Sequence, residues 1–132
     1  MEQHQKNAFA IAKWLQEQPR VQYVLYPGLE NHPGYEINKA QTTGFGGMIS
    51  FAVDNAETAR QILEGVKLIK FAESLGGTES LITYPIRQTH TDLTAEECAE
   101  KGITDCLLRF STGIEATQDL IDDLAQAFAA IE

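Results

Sequence analysis

The sequence predicts an α+β domain in which a small, mostly antiparallel sheet carries helices on one face. Apolar residues recur at helical spacing in the opening and closing segments, and short β-branched and aromatic runs between them have strand length. The order helix, strand, strand, helix, strand, helix, strand, helix lacks the regular alternation and glycine-rich first turn of a nucleotide-binding parallel sheet. A chain of 132 residues suffices for one domain with one core, so residues 1–132 are predicted to form a single domain.

Four helices are predicted from apolar spacing and from the polar residues that begin a helix. They cover residues 2–18, 56–65, 95–101 and 117–131. The second and third follow Asp54-Asn55-Ala56-Glu57 and Thr94-Ala95-Glu96-Glu97, which have the pattern of a capping box. Thr117 is expected to open the last helix.

Four strands are predicted at 21–26, 48–53, 81–84 and 106–111. The run MISFAV at 48–53 is continuously apolar, which predicts burial on both faces and a central position in the sheet. Residues 29–43 are expected to form a long loop with at most a turn of helix. The glycine cluster at 44–47 precedes a strand, whereas a phosphate loop follows one, so a bend is expected there.

Composition and charge exclude several function classes. The formal charge of −9 disfavours nucleic acid as a partner. The polar start of the chain argues against a signal peptide. Because no apolar stretch is long enough, no membrane span is predicted. Cys98 and Cys106 lack metal-binding spacing, and His4 and His32 are isolated, so no metal site is expected. Two cysteines eight residues apart fit a reducing compartment better than a disulfide scaffold, which predicts a cytoplasmic protein.

Arg109 is the most informative single residue because it interrupts the apolar run Leu107-Leu108-Arg109-Phe110 and always carries a charge. Strand alternation places Leu107, Arg109 and Ser111 on one face and Leu108 and Phe110 on the other. Two interpretations stay open from the pattern. Arg109 either reaches solvent or a structural salt bridge, or it forms a fork that binds a substrate carboxylate through two parallel hydrogen bonds.

The segment Glu73-Ser74-Leu75-Gly76-Gly77 joins a carboxylate and a hydroxyl to two glycines, which let the backbone approach a ligand closely. The alternative is a tight turn whose polar side chains satisfy nearby backbone groups. A hydrolase triad built on His90 and Asp92 is disfavoured because the sequence has no nucleophile elbow. The six lysines are interpreted as lying in polar or helix-surface contexts, so none is predicted to form a Schiff base and no catalytic residue is predicted in this chain.

Longer segments resemble the Cys/Met-metabolism enzymes that depend on pyridoxal phosphate (PLP), the family of cystathionine γ-synthase, cystathionine γ-lyase, methionine γ-lyase and cystathionine β-lyase. The resemblance covers essentially the whole chain. It is carried by AESLGGTESLITYP at 72–85, Thr89-His90, LLRFSTGIE at 107–115, DLIDDL at 119–124, HQKNAFAIAKWL at 4–15 and GFGGMISF at 44–51.

The resemblance implies that residues 1–132 form the C-terminal domain of a fold-type I enzyme roughly three times this length, whose missing N-terminal large domain carries PLP and its lysine. Arg109 matches the family arginine that binds the substrate α-carboxylate, and Ser74 matches the serine that shares this role. Thr89 matches a residue that braces the arginine. Glu73 matches a glutamate of the γ-acting members, which faces the distal end of the substrate.

The expected function is therefore carboxylate binding within a transsulfuration enzyme of the cystathionine γ-synthase or γ-lyase type. The resemblance also implies a homotetramer of full-length chains, an amino acid substrate, and no activity for this chain alone. A cystathionine β-lyase or methionine γ-lyase parent is the alternative within the family. An interaction domain without catalysis is the alternative outside it, because the chain has no catalytic lysine.

Overall fold

The computed structural model describes residues 1–88 and 92–131. The predictions for Thr89 and His90 lie outside these residues. Within the described ranges, no helix has both the length and the apolar character needed to cross a membrane.

In the described ranges, five strands form one sheet. Their bounds are β1 Val21–Leu25, β2 Met48–Val53, β3 Lys70–Phe71, β4 Leu81–Thr83 and β5 Leu107–Ser111. The strand order is β1-β2-β5-β4-β3, and every pairing is antiparallel except that between β3 and β4. The predicted mostly antiparallel sheet is confirmed. The predicted central position of MISFAV is wrong, because β5 lies at the centre of the sheet and β2 lies beside it.

The described residues include six helices. Their bounds are α1 Glu2–Gln16, α2 Tyr35–Gln41, α3 Ala56–Gly65, α4 Pro85–Gln88, α5 Ala95–Glu100 and α6 Thr117–Ala129. Helix α6 packs against both α1 and α3, α1 packs against β1 and β2, and α3 packs against β2. These three helices form the helical layer on one face of the sheet that the sequence predicts.

The core lies between this layer and one face of the sheet. Phe51 of β2, Leu108 and Phe110 of β5 and Ile82 of β4 point into it and are fully buried. Arg109 pairs with Ser50 on one side and with Thr83 on the other, on the face that α1, α3 and α6 do not cover.

Strand alternation therefore places Arg109 and the apolar core on opposite faces, as predicted. Burial of MISFAV on both faces is only partly observed, since Met48 and Ser50 are half-buried while Ile49, Phe51 and Val53 are fully buried.

One helix cap differs from the prediction: Asn55, and not Asp54, caps α3 by accepting a hydrogen bond from the backbone N–H of Thr58 at 2.9 Å. Thr117 opens α6, as predicted. Its hydroxyl donates to Asn7, and the N-cap position is Ala116. The capping box of α5 is confirmed.

The 29–43 segment contains two turns of helix, α2, where at most one was expected. Helix α4 and the two-residue strand β3 were not predicted, because both are shorter than the period that would reveal them.

Asp123 is a buried carboxylate that joins α6 to the chain after α3. Its two oxygens accept hydrogen bonds from the backbone N–H groups of Lys67, Leu68 and Ile69 at 2.8 to 2.9 Å. Gln126 donates to the same carboxylate at 3.1 Å. These bonds hold the segment that leads into β3 against the helical layer, because each backbone donor would otherwise lose its partner.

Replacing Asp123 with alanine should lower the free energy of unfolding by about 3 kcal/mol, since three backbone donors lose a charged acceptor at once. Urea denaturation of the 132-residue chain measures this loss. The neighbouring Asp122→Ala is the matched control, because Asp122 is exposed and, among the described residues, accepts a hydrogen bond only from Gln118. Equal losses for the two variants would contradict the role assigned to Asp123.

Candidate functional site

Arg109 extends from β5, the central strand, on the face of the sheet that α1, α3 and α6 do not cover. One terminal nitrogen, Nη2, donates to the backbone oxygen of Glu73 at 2.8 Å and lies 3.4 Å from Oγ1 of Thr83. Its Nε is buried and has no hydrogen-bond partner among the described residues. The salt bridges within these ranges belong to Arg20 and Arg60. Arg109 is therefore a cation that is held by hydrogen bonds and has no ion-pair partner among these residues.

A loop of residues 72–76, here called the arginine loop, is fastened to the sheet on both sides of its tip. Thr83 donates its hydroxyl to the backbone oxygen of Ala72 at 2.6 Å, and the next backbone oxygen, that of Glu73, accepts from Arg109. At the other end, the backbone N–H of Gly76 donates to Oγ of Ser111 at 2.9 Å. The arginine and the loop consequently form one unit.

The tip of the arginine loop consists of Ser74 and Leu75, which are exposed. Within the described part of the chain, the side chains of Glu73 and Ser74 make no hydrogen bond, so they do not satisfy nearby backbone groups as the tight-turn interpretation requires. Ser74 makes no hydrogen bond with Arg109 within the described ranges, but the loop that contains Ser74 is bonded to Arg109 through the backbone oxygen of Glu73. The side chains of Glu73 and Ser74 are exposed.

Residues behind the loop keep it against the sheet. Glu115 accepts from the backbone N–H and the hydroxyl of Ser80, each at 2.8 Å, and Ser80 in turn accepts from the N–H of Gly113 at 2.8 Å. A Cβ at Gly113 would lie 2.2 Å from the backbone oxygen of Thr78, so only glycine allows this approach. The motif STGIE thus brings the end of β5 against the chain that follows the arginine loop.

Asn7 of α1 anchors the same turn from the helical layer. Its fully buried amide donates to the backbone oxygens of Gly113 and Glu115 at 3.0 and 2.8 Å, and its oxygen accepts from Gln3 and Thr117. Sequence analysis did not identify Asn7. The sequence does contain a signal for this role, because Asn7 is a polar residue on the apolar face of α1, and buried polar residues need hydrogen-bond partners.

His4 lies one helical turn before that stripe, and its Nε2 is 3.1 Å from the backbone oxygen of Gly77. His32 accepts at Nδ1 from the N–H of Gly34. Across the described ranges, no group of three His, Cys, Asp or Glu residues could hold a metal. Burial raises the pKa of the Cys106 thiol, which disfavours its nucleophilic form.

Comparison with known proteins shows which family this chain resembles. A model described as Cys/Met metabolism PLP-dependent enzyme matches residues 1–129. Cystathionine gamma-lyase of Dictyostelium discoideum is 52% identical over 128 residues, which are 96% of this chain and 33% of that protein. L-methionine gamma-lyase of Fusobacterium nucleatum subsp. nucleatum is 48% identical over 132 residues, 99% of this chain and 33% of that protein.

The crystal structure of cystathionine gamma synthase from Xanthomonas oryzae pv. oryzae in complex with aminoacrylate and cysteine matches with a TM-score of 0.91 and 43% identity. The match covers 99% of this chain and 35% of that one. This chain therefore spans about a third of the length of the relatives that it matches. Since the family model covers residues 1–129 of 132, the chain belongs to the Cys/Met metabolism family of PLP-dependent enzymes.

Proposed function

We propose that this chain is the substrate-carboxylate domain of a PLP-dependent transsulfuration enzyme of the cystathionine γ-synthase or γ-lyase type. The observation that carries the proposal is Arg109, a cation held by Glu73 and Thr83 that has no carboxylate partner among residues 1–88 and 92–131. A guanidinium in this state has N–H donors left for an anion, and its planar fork matches a carboxylate.

The residues present do not fit PLP by themselves. All six lysines are exposed, whereas a lysine that forms a Schiff base needs a desolvated or cationic setting to lose its proton near neutral pH. We therefore assign the cofactor to a large N-terminal domain outside this chain, with residues 1–132 as the C-terminal domain. When bound there, PLP supplies the electron sink for chemistry at the substrate Cα.

In this proposal, the residues of this chain bind and orient the substrate. Arg109 holds the α-carboxylate, Ser74 at the tip of the arginine loop shares that contact, and Thr89 braces the arginine. Fixing the carboxylate limits the rotation of the bonds at Cα, and positioning of this kind can lower a barrier by several kcal/mol. Glu73 faces the distal end of the substrate, as the resemblance implies, and a glutamate at this position favours γ chemistry over a β-lyase, in which an aromatic residue is expected.

The same proposal includes a homo-oligomer of full-length chains with an amino acid substrate, in the cytoplasm. The two free cysteines, Cys98 and Cys106, support a reducing compartment.

Replacing Arg109 with lysine in the full-length enzyme should lower kcat/KM by about 10- to 100-fold, because a single point charge replaces a two-pronged donor. Steady-state kinetics with a sulfur amino acid substrate measure this change. Arg20→Lys is the matched control, since Arg20 pairs with Asp54 at the surface. Unchanged kinetics for Arg109→Lys would remove the carboxylate role from this residue.

The 132-residue chain incubated alone with PLP and then borohydride should show no stoichiometric adduct at one site, because all six lysines are exposed. Intact mass and peptide mapping after reduction measure the product. A single adduct on one lysine would contradict the assignment of the cofactor to another domain.

A further inference from the structure

Ser111 lies two residues after Arg109 on β5, so the two side chains share a face of the sheet. Ser111 is 2% exposed, and its hydroxyl oxygen accepts the hydrogen bond from the backbone N–H of Gly76. Arg109 contacts the start of the arginine loop through the backbone oxygen of Glu73, whereas Ser111 contacts its end. One strand therefore contacts the loop on both sides of Ser74 and Leu75.

The backbone of Gly76 allows this contact. Its φ of 78° lies in the left-handed region, which turns the chain after the exposed tip and is costly for other residues. Gly76 itself is exposed, so its N–H could be solvated by water if Ser111 were absent. The bond to Ser111 is therefore not needed to satisfy a buried N–H group. What the bond does determine is the distance between the loop tip and the strand that carries Arg109.

We propose that Ser111 is a positioning residue that sets the separation between Arg109 and the Ser74–Leu75 tip, so that both meet one substrate carboxylate. This inference rests on the proposed function, since it concerns the same ligand. Without the Ser111 hydroxyl, the end of the loop is released while Arg109 keeps its own bond to Glu73. Recognition of the carboxylate then falls to the arginine alone.

The test compares two competitive inhibitors of the full-length holoenzyme, L-norvaline and n-butylamine, which differ by the carboxylate. The ratio of their inhibition constants measures carboxylate recognition apart from the other contacts of the amine. Ser111→Ala should reduce the preference for L-norvaline about fivefold, the effect of one hydrogen bond. Ser111→Thr retains the hydroxyl and should restore the preference. Hydrogen exchange of the Gly76 amide should accelerate in Ser111→Ala.

Thr112→Val is the matched control. Thr112 is equally buried and adjacent on the chain, but its hydroxyl donates to the backbone oxygens of His4 and Gly47 and does not contact the arginine loop. This variant should lose stability and keep the inhibitor ratio. If the role of Ser111 were merely structural, Ser111→Ala would also lose stability and keep the inhibitor ratio. That result would overturn the proposal, and so would an unchanged rate of hydrogen exchange at the Gly76 amide.

Arg109→Lys separates the two proposals. If it lowers the inhibitor ratio while Ser111→Ala does not, the carboxylate function stands and the positioning role of Ser111 is wrong. If neither variant changes the ratio, the carboxylate site itself lies elsewhere and both proposals fail.

Discussion

The central position of β5 is the constraint on which the rest of this structure depends. Pairing with β2 on one side and β4 on the other buries Leu108 and Phe110 against the helical layer. Side chains alternate along a strand, so the same pairing forces Arg109 and Ser111 onto the opposite face. A register slip of one residue would bury the arginine charge in the core and expose Phe110. The stability of the core and the placement of the candidate site therefore have one cause.

The arginine loop shows how a site can be exposed and still be ordered. Its tip is open, yet the loop is fastened by Thr83, Arg109 and Ser111 in front, and the chain behind it is held by Ser80 and Glu115. These bonds involve side chains that are buried or half-buried, where an unsatisfied polar group is costly. Such a scaffold holds a cation near a backbone segment before any ligand arrives, which reduces the ordering required on binding.

The proposed separation of substrate binding from the cofactor-binding lysine follows from the charged residues of this chain. Its exposed lysines suit solvent. Arg109 is held by hydrogen bonds and has no ion-pair partner among the described residues, which suits an anion. In the proposed function, a segment that spans about a third of the related enzymes binds the substrate, and the reactive group belongs to another domain.

The sequence by itself determined the α+β class, most helices and strands, and the face on which Arg109 lies, because these depend on local periodicity and capping. Resemblance of motifs added the family and the expectation for Glu73 and Ser74. Only the tertiary structure showed that β5 is the central strand. It also showed the hydrogen bonds from residues 67–69 to Asp123 and those from Asn7 to Gly113 and Glu115. Asn7 and Gly113 are 106 residues apart, and Ser111 and Gly76 are 35 apart. No local pattern encodes such a pairing, since it arises only when packing of the core brings distant polar groups within hydrogen-bond distance.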